Sequence, residues 1–226
     1  MMKKIAFLCL FLMPFLASAQ TTITKELGEF STVKVYNGID LELVKSDENK
    51  IIITGDKADK VNIKNKNNTL KVSLNFPETT ADGKVKITLH YVSQLETIDA
   101  NEGATITGKK IKQSQIEIKA QEGAFINLVV DVKHLMVKTV SGAVIKLSGT
   151  TKNQTVEANL GGIYHGYNLI VSDLNYVRAG SGSKVEVQAG ETLDAKVSFG
   201  GSIFYKGTPE VFKDKKVIGG VIEQRS

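Results

Sequence analysis

Glu102 and Glu122 stand in the same position of two consecutive sequence repeats. If the repeats stack at strand spacing, their carboxylates come within about 5 Å of each other. Such a pair offers two chemistries, a cation site or the acid/base pair of a glycosidase. Calcium would need a third ligand, for which Asp99 is the candidate; the plain alternative is two solvated corner residues. The three histidines, His90, His134 and His165, lie far apart, without metal-ligand spacing or a neighbouring cysteine, which argues against a zinc centre. His165 falls in Gly161-Gly162-Ile163-Tyr164-His165-Gly166-Tyr167, inside the longest repeat unit, where an extra residue implies a bulge. Tyr164, Tyr167, Tyr176, Phe199, Phe204 and Tyr205 crowd the last three repeats. They suggest one aromatic strip able to stack on sugars, with Tyr167 and Tyr176 its foremost members. Core or end packing competes with that reading, because Tyr164 falls in an inward column. Gly180-Ser181-Gly182 begins like a phosphate loop but has neither the Lys-Ser/Thr nor the helix that completes one. With no nucleophile–base pair and no metal cluster, no catalytic, cofactor or metal residue is assigned. The chain reads as a non-enzyme.

Composition narrows the classes further. Met1-Met2-Lys3-Lys4, the apolar run Ile5 to Leu16 and the small-x-small site Ala17-Ser18-Ala19 have the order of a secretory signal peptide. The run is too short to span a bilayer, and no second long apolar stretch follows. The expectation is therefore export to the periplasm, the outer-membrane surface or the medium, without a transmembrane segment. The sole cysteine, Cys9, lies in the segment to be removed, leaving a mature chain without disulfides or a thiol nucleophile. The formal charge of +5 falls to +3 once Lys3 and Lys4 leave, and the remaining lysines are scattered. That pattern argues against a nucleic-acid partner and leaves weak attraction to acidic polysaccharide open.

The elements that must position these residues are strands. Apolar residues recur with period two, as in Ile39/Leu41/Leu43, Leu70/Val72/Leu74 and Val85/Ile87/Leu89. Turn signals such as Asn37-Gly38 and Ala81-Asp82-Gly83 separate them. From about residue 95 a repeat emerges on Gly103, Gly123, Gly142, Gly161, Gly182 and Gly200, at intervals of 18 to 21 residues. Five positions before each glycine stand Ile98, Ile118, Val137, Val156, Val177 and Ala195; next comes a charged column, Asp99, Lys119, Lys138, Glu157, Arg178 and Lys196. Three positions after it stand Ile106, Ile126, Ile145, Tyr164, Val185 and Ile203. A single unit cannot bury its inner face, but stacked units make a continuous aliphatic ladder. These columns predict an all-β, single-stranded, right-handed parallel β-helix of about 19–20-residue coils. The mixed signs of the charged column read as solvation. A β-sandwich has no reason to keep columns in register at a fixed period.

Glu122-Gly123-Ala124-Phe125-Ile126, Ser141-Gly142-Ala143-Val144-Ile145 and Gly180-Ser181-Gly182-Ser183-Lys184-Val185 resemble the "GSG" coils of the auto-transporter adhesins with a head GIN domain, exported proteins known mainly from Bacteroidetes. The opening Phe30 to Ile39 and the ending Ile203 to Pro209 are similar too, so the resemblance covers about residues 30 to 224. In the slot before the glycine, Ser141 and Ser181 match the family's serine, whereas Glu102, Glu122, Leu160 and Phe199 depart from it. The resemblance implies a pectin-lyase-like β-helix and cell adhesion, and transfers no site residue. The expected layout is a signal peptide at 1–19 and one β-helix domain at 20–226. Within it lie N-terminal coils over about 30–93, regular repeats over 95–207 and a C-terminal cap over 208–226. The expected role is a surface or periplasmic scaffold binding a glycan or protein ligand. A pectin-lyase-type enzyme and a polymer self-associating through the ends of the helix are the alternatives. Glu102, Glu122, Tyr167 and Tyr176 are the candidate surface-binding residues.

Overall fold

The computed structural model describes residues 21–226; the expected signal peptide, with Cys9, lies outside the described residues. The alternating apolar stretches become strands β1 (Thr22–Glu26), β2 (Thr32–Val35), β3 (Asp40–Lys45), β4 (Lys50–Thr54), β5 (Val61–Lys66) and β6 (Thr69–Leu74). There follow β7 (Lys86–Tyr91), β8 (Thr97–Ala100), β9 (Thr105–Ala120), β10 (Phe125–Thr139), β11 (Val144–Ala158) and β12 (Ile163–Ala179). The chain ends in β13 (Lys184–Gln188), β14 (Thr192–Ser198), β15 (Ser202–Lys206), β16 (Val211–Val217) and β17 (Val221–Gln224). All belong to one 17-stranded sheet wound as a parallel β-solenoid of about seven turns, about 19 residues each.

The columns read from the sequence are rungs. Ile118, Val137 and Val156 are direct neighbours in register, continued by Ile98 and Val33 on one side and Val177 and Ala195 on the other. A second ladder runs Ile53, Ile87, Leu41, Ile106, Ile126, Ile145, Tyr164, Val185, Ile203, Ile222. Each fully buried aliphatic side chain contributes about 1.5–3 kcal/mol, so these ladders carry the fold. The long strands bend where alternation slips: Lys133 and His134 both face out in β10, and Ser172, Asp173 and Leu174 do so in β12. Each coil therefore has an approach side leading into the glycine turn, such as Leu135–Thr139, and a departure side leaving it, such as Phe125–Leu128.

The glycine column is a stack of tight corners. In each, the residue before the glycine and the glycine itself have positive φ, for example 54° at Glu122 and 72° at Gly123, the signature of a type I′ turn. A Cβ on Gly123 would meet open space, so the glycine is required by its left-handed backbone rather than by crowding. The corners also bond along the stack, with Gly103 N–H donating to the Glu122 carbonyl at 3.0 Å and Gly123 N–H to that of Ser141 at 3.1 Å. Asn37–Gly38, Asp82–Gly83 and Ile218–Gly219 share the geometry, giving nine such turns among the described residues.

Two expectations need correction. The N-terminal coils do not stack in chain order. The β2–β3 coil lies between the β6–β7 coil and the β8–β9 coil. The intervening segment folds back antiparallel, with β4 lying between β1 and β7 and β5 pairing β6, and so covers that end of the core. Period-two alternation is identical for parallel and antiparallel strands, so the sequence carries no mark of this reversal. At the other end, residues 211–224 do not cap the core. They add one more parallel rung, β16 on β14 and β17 on β15, and β16 is exposed along almost its whole length.

Candidate functional site

Because the turn corners stack, the residues before the glycines form a ridge along the molecule. In order it carries Asn37, Glu102, Glu122, Ser141, Leu160, Ser181, Phe199 and Ile218, each corner bonded to the next by the glycine N–H. Its first half carries an amide and two carboxylates and its second half three apolar side chains, with one serine in each. Glu102 and Glu122 thus occupy neighbouring corners, as their shared column predicts. Glu102 Oε2 accepts a hydrogen bond from Asn37 Nδ2 at 2.7 Å, while Asn37 Oδ1 accepts from Leu74 N–H at 3.0 Å. Both carboxylates are exposed. Asp99, the candidate third ligand, is turned elsewhere.

Asp99 corrects the view of the charged column as uniformly solvated, being only 2% exposed. Its Oδ1 accepts from Asn101 Nδ2 at 3.1 Å and Gln121 Nε2 at 3.2 Å, and Lys34 Nζ stands 3.6 Å from Oδ2. A buried carboxylate costs little only when hydrogen-bonded and paired in this way. Burial, with the charges of Asp99, Glu102 and Glu122, raises the pKa of the nearby Tyr36 phenol, keeping it protonated. Among the described residues, no group of three or more His, Cys, Asp or Glu side chains is placed to hold a metal ion.

The aromatic residues do not form one strip. Tyr164 is wholly inside, and Phe199 is a ridge tip. Tyr167 and Phe204 belong to the departure side, and Tyr205 closes the last coils with Phe212, ring centroids 5.3 Å apart. Tyr176 faces out on the approach side, covered by the Arg178 guanidinium 3.5 Å from its ring centroid. Tyr167 lies under Lys206 Nζ, 5.2 Å from its centroid. Sequence order put these rings together; the bends at 167–168 and 172–174 send them to different sides.

His165 Nδ1 lies 2.6 Å from Glu186 Oε2, whose other oxygen meets Lys184 Nζ at 2.5 Å. Burial alone would raise the Glu186 carboxyl, but hydrogen bonds from Lys184 and His165 outweigh it and hold it below the usual range. This is an ion-paired surface cluster. The approach side carries a shallow open hollow of about 350 Å³ lined by Lys138, Glu157, Asn159, Arg178, Lys196 and Ser198. Arg178 is fixed there by Asp194 at 2.8 Å and donates to the backbone carbonyls of Val177 and Asp194.

Two features escaped the sequence reading. One is the apolar half of the ridge, for which Leu160 and Phe199 in the serine slot and the Ile218-Gly219 dipeptide were the signal. The other is a buried polar chain in which Tyr164 O–H donates to Gln154 Oε1 at 3.0 Å, Gln154 Nε2 to Asn175 Oδ1 at 2.5 Å, and Asn175 Nδ2 to the Gln188 carbonyl at 3.0 Å. Its signal was Gln154 and Asn175 in a column otherwise filled by Ile116, Leu135 and Leu193.

Stacked parallel coils, polar outer sides and a projecting turn ridge define a β-solenoid that offers surfaces rather than a deep cleft. The chain belongs to the family described as "putative auto-transporter adhesin, head GIN domain", whose profile matches residues 29–209. Solved structures share the fold. A "putative adhesin" from Bacteroides fragilis is 21% identical with a TM-score of 0.80, over 92% of this chain and 98% of that one. A "putative lipid binding protein" from Parabacteroides distasonis is 17% identical with a TM-score of 0.72, over 93% of this chain and 98% of that one. A "putative adhesin" from Parabacteroides merdae is 16% identical with a TM-score of 0.70, over 93% and 98%. No curated protein matches. Among the described residues no helix is long and apolar enough to cross a membrane.

Proposed function

We propose that this protein is an exported, non-catalytic binding scaffold of the cell envelope, engaging a glycan or protein ligand with the approach side of its solenoid. Family membership supports an adhesive role. The observation that carries the choice of side is the Arg178–Tyr176 stack beside the hollow lined by Lys138, Asn159, Lys196 and Ser198. A guanidinium fixed over a phenol ring, with Lys138, Lys196 and the Asn159 amide outnumbering the single carboxylate of Glu157 in the hollow, offers both a flat apolar surface and charge-assisted donors. Such a surface suits acidic saccharides or an acidic protein patch. Tyr167 is on another side, so the two tyrosines act separately. Glu102 and Glu122 belong to the ridge and have no part in this contact.

The test is to fractionate producing cells and to bind the purified protein to arrays of acidic glycans and matrix proteins. Tyr176→Ala and Arg178→Ala are expected to weaken the captured ligand about tenfold or more, while Tyr167→Ala leaves it unchanged. Binding that ignores Tyr176 and Arg178 would remove the approach side as the ligand surface. Cytoplasmic retention of the protein would remove the envelope role.

A further inference from the structure

Leu160, Phe199 and Ile218 are 60%, 63% and 71% exposed, and each sits in the left-handed region with φ of 49°, 47° and 46°. That backbone suits glycine and asparagine and is costly for bulky residues, most of all for a β-branched isoleucine. The same slot holds Asn37 at the other end of the ridge, so the fold itself accepts the inexpensive residue. At the apolar end the ridge therefore keeps three residues that are strained, water-facing and without a structural role in the core. Their corners are successive but for Ser181 between Leu160 and Phe199, so the tips span roughly 15 Å at strand spacing.

The tips project and line none of the hollows described above, so they fit no small molecule. Beside them β16 carries three exposed lysines without an ion-pair partner among the described residues: Lys213 and Lys215 point outward in the columns of Asp194 and Lys196, while Lys216, with the strand's one acid Asp214, stands at the open end of the inward columns of Val197 and Ala195. Ile218 follows that strand directly. The opposite half of the ridge carries Glu102 and Glu122. A row of apolar tips flanked by lysines at one end, with carboxylates at the far end, complements an anionic lipid surface and fixes the orientation of approach.

We infer that the C-terminal end of the turn ridge docks on anionic membrane. Leu160, Phe199 and Ile218 enter the interfacial layer, Lys213, Lys215 and Lys216 meet lipid phosphates, and the acidic end of the ridge points away. Lys213 and Lys215 continue the columns of Tyr176 and Arg178 two rungs further along the stack, so the membrane contact takes the terminal rung and the turn ridge and leaves the Tyr176 rung to the ligand.

The test is flotation of the full chain with vesicles of phosphatidylcholine containing about 30% phosphatidylglycerol, and with pure phosphatidylcholine vesicles. The comparison variant is Leu160→Asn/Phe199→Asn/Ile218→Asn. It shares residues 1–20 with the parent, so any contribution of that apolar run cancels. The parent is expected to float with anionic vesicles, less so at about 0.5 M salt, and the triple variant to partition at least about tenfold more weakly. The melting temperature of the variant should be equal or higher, because asparagine relieves the left-handed strain. Lys213→Gln/Lys215→Gln/Lys216→Gln should abolish the preference for anionic over neutral vesicles. Phe76→Ser, which removes an exposed aromatic outside the ridge, and Tyr176→Ala should leave flotation unchanged. Equal flotation of parent and triple variant overturns the proposal. So does absence of vesicle binding together with a ridge-dependent complex with a protein, which would make the tips a protein interface.

Discussion

Tyr164 stands where its column otherwise holds Ile106, Ile126, Ile145, Val185 and Ile203. Burial pushes its phenol far above the usual range, so it serves only as a hydrogen-bond donor to Gln154. Tyr164→Phe leaves the Gln154 oxygen without its donor and is expected to cost about 1–3 kcal/mol in chemical denaturation. The ring fits because the next inward residue is Gly166, where a Cβ would lie 2.6 Å from the ring. Gly166→Ala should therefore destabilise the parent, and much less so a Tyr164→Val background; additive effects would contradict the packing described. Glu186 gives a pH prediction. Its folded pKa is depressed below its ordinary value of 4.5, so its contribution is complete above that pH and fades as pH falls through the folded value. Glu186→Gln should lower stability at about pH 6 and lose its effect at about pH 3. A cost that persists in acid would exclude the Lys184–Glu186–His165 cluster as its source.

Elements were legible where each rung repeated the one before. The columns through Ile118, Val137 and Val156 placed β9 to β12 in register because inward position, glycine corner and outward charge recur together. Legibility failed where physics leaves no periodic trace. An antiparallel β4 or β5 alternates like a parallel strand, and the side on which Tyr167 or Tyr176 emerges depends on slips of one residue at the bends. The Asp99 network was invisible for a similar reason: its partners Asn101 and Gln121 lie in a column whose other members are ordinary polar or apolar residues. The pairing of Glu102 with Glu122 was readable, since it follows from column identity alone. The ladder makes a direct energetic prediction. Ile126→Ala, flanked in register by Ile106 and Ile145, should cost about 2–5 kcal/mol. Ile222→Ala has a neighbour on one side only and should cost clearly less.

Across the whole molecule the two ends differ. Antiparallel β1, β4 and β5 cover the core at one end, whereas at the other, among the described residues, β16 and β17 have one backbone edge without a partner strand. Stability in a solenoid is close to a sum of coil and interface contributions, so opening starts where an interface is missing. Hydrogen exchange should therefore proceed first through β17 and β16, then β15 and β14, with β10 to β12 exchanging last. Simultaneous exchange of all rungs would contradict this order. The open edge also explains the lysines of β16, since charged edge strands resist pairing with a second chain.

The interleaving of the N-terminal coils is the feature on which stacking, ridge order and polarity all depend, and disulfide trapping reads it directly. Thr32 is paired in register with both Thr69 and Thr97, at a spacing of about 4.8 Å that suits a disulfide. In a Cys9→Ser background, Thr32→Cys should cross-link efficiently with Thr69→Cys and, in a separate variant, with Thr97→Cys, while the pair Thr69→Cys/Thr97→Cys stays reduced. Cross-linking of Thr69 to Thr97 in preference to either Thr32 pair would mean coils stacked in chain order, contrary to the fold described.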